Sequence, residues 1–225
     1  MTMIRDTLDA LRHLIWPSRC ASCDLLLESP EAFLCDSCHE AMRFVGEMPS
    51  PEAVDGMFSF FAYEGAVQSL IARWKYHEDY CARLALLSSM SERIDRVLAF
   101  VGASATVIPV PPHPRRLRER GFDPVWTFAS KLSTQLSQAK GETFTLNDAC
   151  LHRSRHTLHQ AGLSAAERAQ NLRGAFETVD MAPERVILVD DVVTTGATLS
   201  ACALVLRNAG AKRVLAMTLA ATPQS

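Results

Sequence analysis

The longest uninterrupted run of apolar β-formers is Val186-Ile187-Leu188-Val189, which leads straight into Asp190 and Asp191. Two valines follow, then a small, hydroxyl-rich loop, Thr194-Thr195-Gly196-Ala197-Thr198. An apolar run with no polar alternation predicts a strand buried on both faces, here ending at the acid pair. Leu199, Cys202, Ala203 and Leu206 then recur at helical spacing and predict a helix over 198–207, stopped by Gly210. A further strand is expected over 213–219. This strand–helix–strand order implies a right-handed crossover and a parallel sheet.

Upstream, the pattern is less regular. Aromatic content predicts a strand over Met57–Tyr63, and helices are expected over 65–76 and 80–94. The charge-free stretch 97–112 reads as a loop plus a strand, with the strand at Thr106–Val110. Asp123 and Pro124 form an N-cap and first-turn pair for a helix over 125–138. Ile4, Leu8, Leu11 and Ile15 predict a short amphipathic helix that ends near Trp16-Pro17 and docks on the main core. Pro49 and Pro51 mark 46–55 as a linker, which gives three parts: 1–45, the linker 46–55, and a main α/β domain over 56–225.

Composition narrows the class. The chain has 225 residues, 48% hydrophobic and 21% charged, as expected of a soluble globular protein. A formal net charge of −2 gives no global attraction to nucleic acid or membrane. Arg5, Asp6, Asp9 and Arg12 interrupt any secretory h-region, and no apolar stretch suits membrane insertion, so a cytoplasmic location is expected.

The seven cysteines are unevenly placed. Cys20 and Cys23 form one CxxC knuckle, and Cys35 and Cys38 form a second after eleven intervening residues. Two such knuckles match a four-thiolate zinc site. In a segment too small for a core of its own, the metal would supply the folding energy. Cys202 falls on the core stripe of its helix, and Cys81 and Cys150 are isolated.

The Asp190–Thr198 segment suits a sugar and a phosphate. Ionised carboxylates only accept hydrogen bonds and match vicinal ribose hydroxyls. Gly196 permits close backbone approach, Thr194, Thr195 and Thr198 offer hydroxyl donors, and the next helix turns its N-terminus toward an anion. The densest positive charge, Arg115, Arg116, Arg118 and Arg120, follows Pro111, Pro112, His113 and Pro114 at a strand end, where ligands sit in open α/β sheets. A polar excursion over 152–176 reads as a surface hairpin or a lid. Within it, Ser164 to Glu167 form a capping box.

The acid pair and loop resemble the phosphoribosyl-pyrophosphate (PRPP) signature of the type I phosphoribosyltransferases. Over nearly the whole chain, the pieces in their order resemble the ComF family. These pieces are the paired knuckles, Trp74-Lys75-Tyr76, the PVP strand end, Arg118-Glu119-Arg120-Gly121-Phe122, the Arg153-to-Asn171 stretch and the signature. The resemblance implies a type I phosphoribosyltransferase fold, a parallel sheet core flanked by helices, with a small N-terminal four-cysteine zinc module.

It further implies PRPP, carried with Mg²⁺, on Asp190, Asp191, Thr194, Thr195, Gly196, Ala197 and Thr198. Pyrophosphate would lie near Pro111, Pro112, His113, Arg115, Arg116 and Arg120. A lid would carry Arg153, Arg155, Gln160, Arg168 and Asn171, and the catalytic candidates are Arg153, Arg155 and Lys75. Asp123 departs from the family's usual Asn. Two functions follow from the resemblance: transfer of phosphoribosyl with release of pyrophosphate, or a non-catalytic role in DNA uptake, binding single-stranded DNA or DNA-uptake proteins.

Overall fold

In a computed structural model, residues 18–29, 31–153 and 174–223 are described. The N-terminal helix expected around Ile4–Ile15, the capping box at Ser164, and Arg155, Gln160, Arg168 and Asn171 of the lid lie outside them. The chain divides into two compact units. One draws on Met1–Arg43 and Glu64–Ser89, the other on Phe44–Tyr63 and Met90–Ser225.

The larger unit is built on strands β1 (Phe44–Met48), β2 (Gly56–Ala62), β3 (Thr106–Pro109), β4 (Thr145–Leu146), β7 (Arg185–Val193) and β8 (Arg213–Ala221). They form one sheet in the order β1-β2-β8-β7-β3-β4, parallel except for the β1–β2 pair. Strands β5 (Leu151–Arg153) and β6 (Phe176–Thr178) form a separate antiparallel pair. The stems of the 152–176 excursion are thus a hairpin.

The continuous apolar character of β7 and β8 follows from helices on both faces. On one face, α6 (Pro124–Lys140) buries Val125, Phe128, Ala129, Leu132 and Leu136. On the other, α7 (Ala197–Asn208) buries Leu199, Cys202, Ala203 and Leu206, the stripe expected from sequence. These join Ile108, Val186, Leu188, Val214 and Ala216 of the sheet and Leu151 and Phe176 of the hairpin in one apolar cluster. The remaining helices are α1 (Asp36–Glu40), α2 (Gly65–His77), α3 (Tyr80–Ser91), α4 (Ile94–Val101) and α5 (Pro114–Arg120).

Three local expectations change, and a fourth segment gains an element. The segment expected as a linker begins inside a strand, because β1 pairs Phe44 with Phe61 and Gly46 with Ser59. Strand β7 runs past the acid pair to Val193, since Val192 and Val193 stay in register with Ala220 and Ala221. The charge-free stretch opens with helix α4, whose Val97 and Val101 are buried. The arginine run is helical, started by Pro114 at its first turn and by His113 as N-cap, and stopped by Gly121 at φ 75°.

The chain leaves β3 through α5 and α6 to reach β4 on one side, and leaves β7 through α7 to reach β8 on the other. The sheet therefore has a topological switch point between the C-terminal ends of β3 and β7, the place where open α/β sheets leave a crevice for ligands.

Candidate functional site

Two loops meet at that switch point. Pro109 is in register with Val189, and the Val110 N–H donates to the Val189 carbonyl at 2.8 Å. The segment Pro111–His113 therefore starts beside Asp190. On the neighbouring strand, the chain leaves β7 through Thr194 and Thr195, both exposed, and Gly196, which is buried.

Gly196 is the N-cap of α7, with φ 76°. Its side-chain position is closed as well: a Cβ built there would lie 2.8 Å from Cβ of Pro51. Pro51, read from sequence only as a linker residue, backs the loop and fixes its path. Thr195 Oγ1 accepts a long bond of 3.4 Å from the Ala197 N–H. The first turn of α7 holds backbone N–H groups without intrahelical partners, as every helix does, and it opens at this loop. The substitution Gly196→Ala combines a left-handed φ with a clash against Pro51. It should destabilise the unit by about 2 kcal/mol, read as a lower urea midpoint at unchanged m-value.

The acid pair sits inside an extended strand, so its two side chains leave on opposite faces. Asp190 shares a face with α7 and the hairpin, where its charge acts on Cys202 and Arg153. Its Oδ1 accepts from the Asp191 N–H at 2.8 Å. Asp191 points to the side of α6, toward Asp123. Both carboxylates are half-buried, so the pair flanks the strand end with one acceptor on each side of the crevice.

Asp123 caps α6, its Oδ1 accepting from the Val125 N–H at 2.9 Å. Burial pushes its carboxyl above the usual carboxylate range and the charge of Asp191 adds to that, while the Trp126 and Val125 N–H groups and Arg120 pull the other way. The cap read from sequence is therefore also an electrostatic neighbour of the acid pair.

The arginines separate by direction. Arg115 forms an i,i+4 ion pair with Glu119 at 2.6 Å on an exposed surface, worth little on its own. Arg120 acts on Asp123 and Arg116 on Arg153. Arg153 stacks over the Phe176 ring, 5.2 Å from its centroid, and burial is the main cause that lowers its pKa from the ordinary arginine value. This hairpin stem therefore carries a guanidinium on the Asp190 face. Lys75, in contrast, belongs to α2 of the other unit.

That unit holds the second site. Sγ atoms of Cys20, Cys23, Cys35 and Cys38 all lie within 4.8 Å of one another. The Cys23–Cys35 sulfur separation is 3.8 Å. Tetrahedral zinc–thiolate bonds of about 2.3 Å put sulfurs about 3.8 Å apart. The first knuckle turns through Asp24 at φ 62°, closed by Asp24 N–H to Cys20 O at 2.9 Å and Cys20 N–H to Leu25 O at 2.7 Å. The Ala21 N–H to Phe33 O bond, 2.8 Å, ties the knuckles together.

Helix α2 is fastened to this cluster, because Arg73 pairs with Asp24 at 3.1 Å and with Asp79 at 2.8 Å. Without a cation, the thiols compete. Burial opposes charge on Cys20, but the N–H groups of Cys35, Cys23 and Ser22 outweigh it and bring its thiol down to about 6. Burial and the neighbouring thiols push Cys38 up to about 12. A divalent ion would remove that repulsion.

A family model described as a phosphoribosyl transferase domain matches residues 126–225. Competence protein F of Haemophilus influenzae is 30% identical over 216 residues, covering 90% of each chain. Competence protein ComFC of Streptococcus pneumoniae is 24% identical over 216 residues, covering 87% of this chain and 90% of that one. Among solved structures, a hypoxanthine phosphoribosyltransferase from Staphylococcus aureus superposes on 60% of this chain and 62% of its own, with a TM-score of 0.39 at 11% identity.

Proposed function

This chain belongs to the competence protein F (ComF) family, and from that premise we propose that the crevice between β3 and β7 binds PRPP. In this reading the 5′-phosphate rests on the Thr194–Thr198 turn and the N-terminus of α7. Asp190 and Asp191 accept from the ribose hydroxyls. Pyrophosphate lies along Pro111, Pro112 and His113 toward Arg116 and Arg120, with Arg115 at the outer edge beside Glu119. The observation that carries the reading is the meeting of the acid pair, the Gly196 turn and the arginine helix at one switch point.

The reaction proposed is transfer of the phosphoribosyl group. Mg²⁺ that arrives with PRPP neutralises charge on the leaving pyrophosphate. The protein's own residues orient the sugar and hold the separating charge, which is where positioning and electrostatic stabilisation act. Arg153 faces Asp190 from the hairpin stem. Together with Arg155, Gln160, Arg168 and Asn171 of the intervening segment, it would cover the ligand and keep water from the anomeric carbon. Among the described residues, no helix is long and apolar enough to cross a membrane. We place the protein in the cytoplasm, where four close cysteines stay reduced and bind zinc. Pyrophosphate release, measured with candidate bases and amines as acceptors, decides turnover. Release dependent on both PRPP and one acceptor supports transfer; a ligand that binds and is never consumed confines the function to binding.

A specific surface favours a second reading in the smaller unit, contact with single-stranded DNA. Tyr76 and Tyr80 are 70% and 60% exposed, and Arg83 lies over the Tyr80 ring at 4.7 Å. Exposed aromatics beside guanidinium groups stack nucleobases without sequence preference. Tyr76→Ala with Tyr80→Ala should weaken binding of a labelled oligothymidine by roughly tenfold in fluorescence anisotropy. A wild-type protein with no anisotropy change at low salt removes this reading.

A further inference from the structure

On the face of the sheet that carries Asp190, two strands are polar where apolar residues are expected. In β8, RVLAMTLAA, Thr218 is the one polar residue after the opening arginine. It is fully buried. Its register partner on one side is Asp190 of β7, and on the other Ser59 of β2. Directly paired residues in a parallel sheet project on the same face, with strands about 4.8 Å apart. A polar row, Ser59–Thr218–Asp190, thus crosses the sheet one step beyond an apolar row of Met57, Ala216 and Leu188.

Ser59 is fully buried and its Oγ donates to the Phe61 carbonyl at 3.3 Å. Thr218 Oγ1 is different: among the described residues it has no hydrogen-bond partner. A buried hydroxyl left without one is a cost to the fold, since the hydration it gave up is not replaced. Valine has the same shape and would carry no such cost.

We propose that Thr218 is a positioning residue for the phosphoribosyl ligand: its hydroxyl donates to the Asp190 carboxylate in the ligand-bound state. This rests on the PRPP reading of the crevice. An ionised carboxylate has about four acceptor positions. The Asp191 N–H already occupies one on Oδ1. A second donor from beneath, on the adjacent strand, fixes the plane of the group. The remaining lone pairs then face the ribose hydroxyls, not the sheet. The cost of burying the hydroxyl in the free protein is recovered when the ligand is bound.

The test separates positioning from packing. Mg-PRPP affinity is measured by calorimetry, and thermal unfolding without ligand, for wild type, Thr218→Val and Thr218→Ser. The expected result is a Kd raised roughly tenfold in Thr218→Val, with an unfolding midpoint equal to or above wild type. Thr218→Ser, which keeps the hydroxyl, should bind within roughly threefold of wild type even if the lost methyl lowers its midpoint. Three results overturn the proposal: Thr218→Val binding like wild type, Thr218→Ser as weak as Thr218→Val, or an affinity loss accompanied by a matching loss of ligand-free stability. If wild type itself gives no binding, the PRPP reading fails first and this inference with it.

Discussion

Asparagine at both Asp190 and Asp191 should weaken phosphoribosyl-ligand binding by at least two orders of magnitude and leave the fold intact. A hydrogen bond to a charged group is worth about 1.5–3 kcal/mol. Loss of the charge at both positions then costs about 3–6 kcal/mol, or roughly a hundredfold to ten-thousandfold in Kd. The fold survives because the substitution is isosteric at a half-buried strand end, and an amide oxygen at position 190 still accepts from the Asp191 N–H, now made at 2.8 Å. On the Asp191 side, one of two neighbouring negative charges also disappears, which relieves Asp123. Calorimetry for affinity and circular dichroism for the melting curve check the two halves together. Loss of binding with an unchanged melt is the expected result.

Removal of the metal from the cysteine cluster should unfold the knuckle segment of the smaller unit and loosen α2, which Arg73 fastens to it. Around the knuckles, the described buried apolar residues are few: Cys20, Ala21, Leu27 and Met42. A structural zinc site supplies about 10–16 kcal/mol at neutral pH, more than such a core can replace. The sulfurs are already grouped within 4.8 Å, so the ion closes an existing arrangement. Without it the thiols cannot all ionise: burial and the neighbouring thiols hold Cys38 up at about 12, while backbone N–H groups outweigh burial at Cys20 and keep it near 6. Metal binding must therefore release protons, and affinity should fall as the pH drops toward the thiol range of Cys20 and below. Mass spectrometry of the purified protein should find one zinc per chain. A strong chelator should then expose Trp74, which is 2% exposed in α2, and red-shift its emission. A chelated protein that keeps both its emission and its far-ultraviolet spectrum contradicts this account.

Local groupings of side chains are easier to read from sequence than tertiary pairings. Asp190, Asp191 and the Thr194–Thr198 turn are contiguous, so one strand, one turn and one helix bring them together with no long-range information. The cysteines are similar, since each knuckle needs only a local turn, and the eleven residues between them are enough to bring the second pair back. The places where the structure differs depend on tertiary pairing. Strand β1 carries Gly46 at its one buried position, where an alternating pattern would need a larger apolar residue, and it exists because β2 offers it an edge. Asp190 and Asp191 look like the end of a strand, yet β7 continues because Thr218 and Ala220 hold its register. Pro51 shapes the Gly196 turn across more than a hundred residues of sequence. Helix α2 is tied to the first knuckle by Arg73 and Asp24, forty-nine residues apart, and no local pattern indicates that pairing.

The central claim is that a phosphoribosyl ligand occupies the β3–β7 crevice, held by the acid pair. Its most direct test is titration of Mg-PRPP into the zinc-loaded wild-type protein by isothermal calorimetry, with the Asp190→Asn/Asp191→Asn protein as the paired control. The account predicts saturable binding at one ligand per chain in wild type and none in the control. Absence of heat in a folded, zinc-loaded wild type, or equal binding by both proteins, would contradict it.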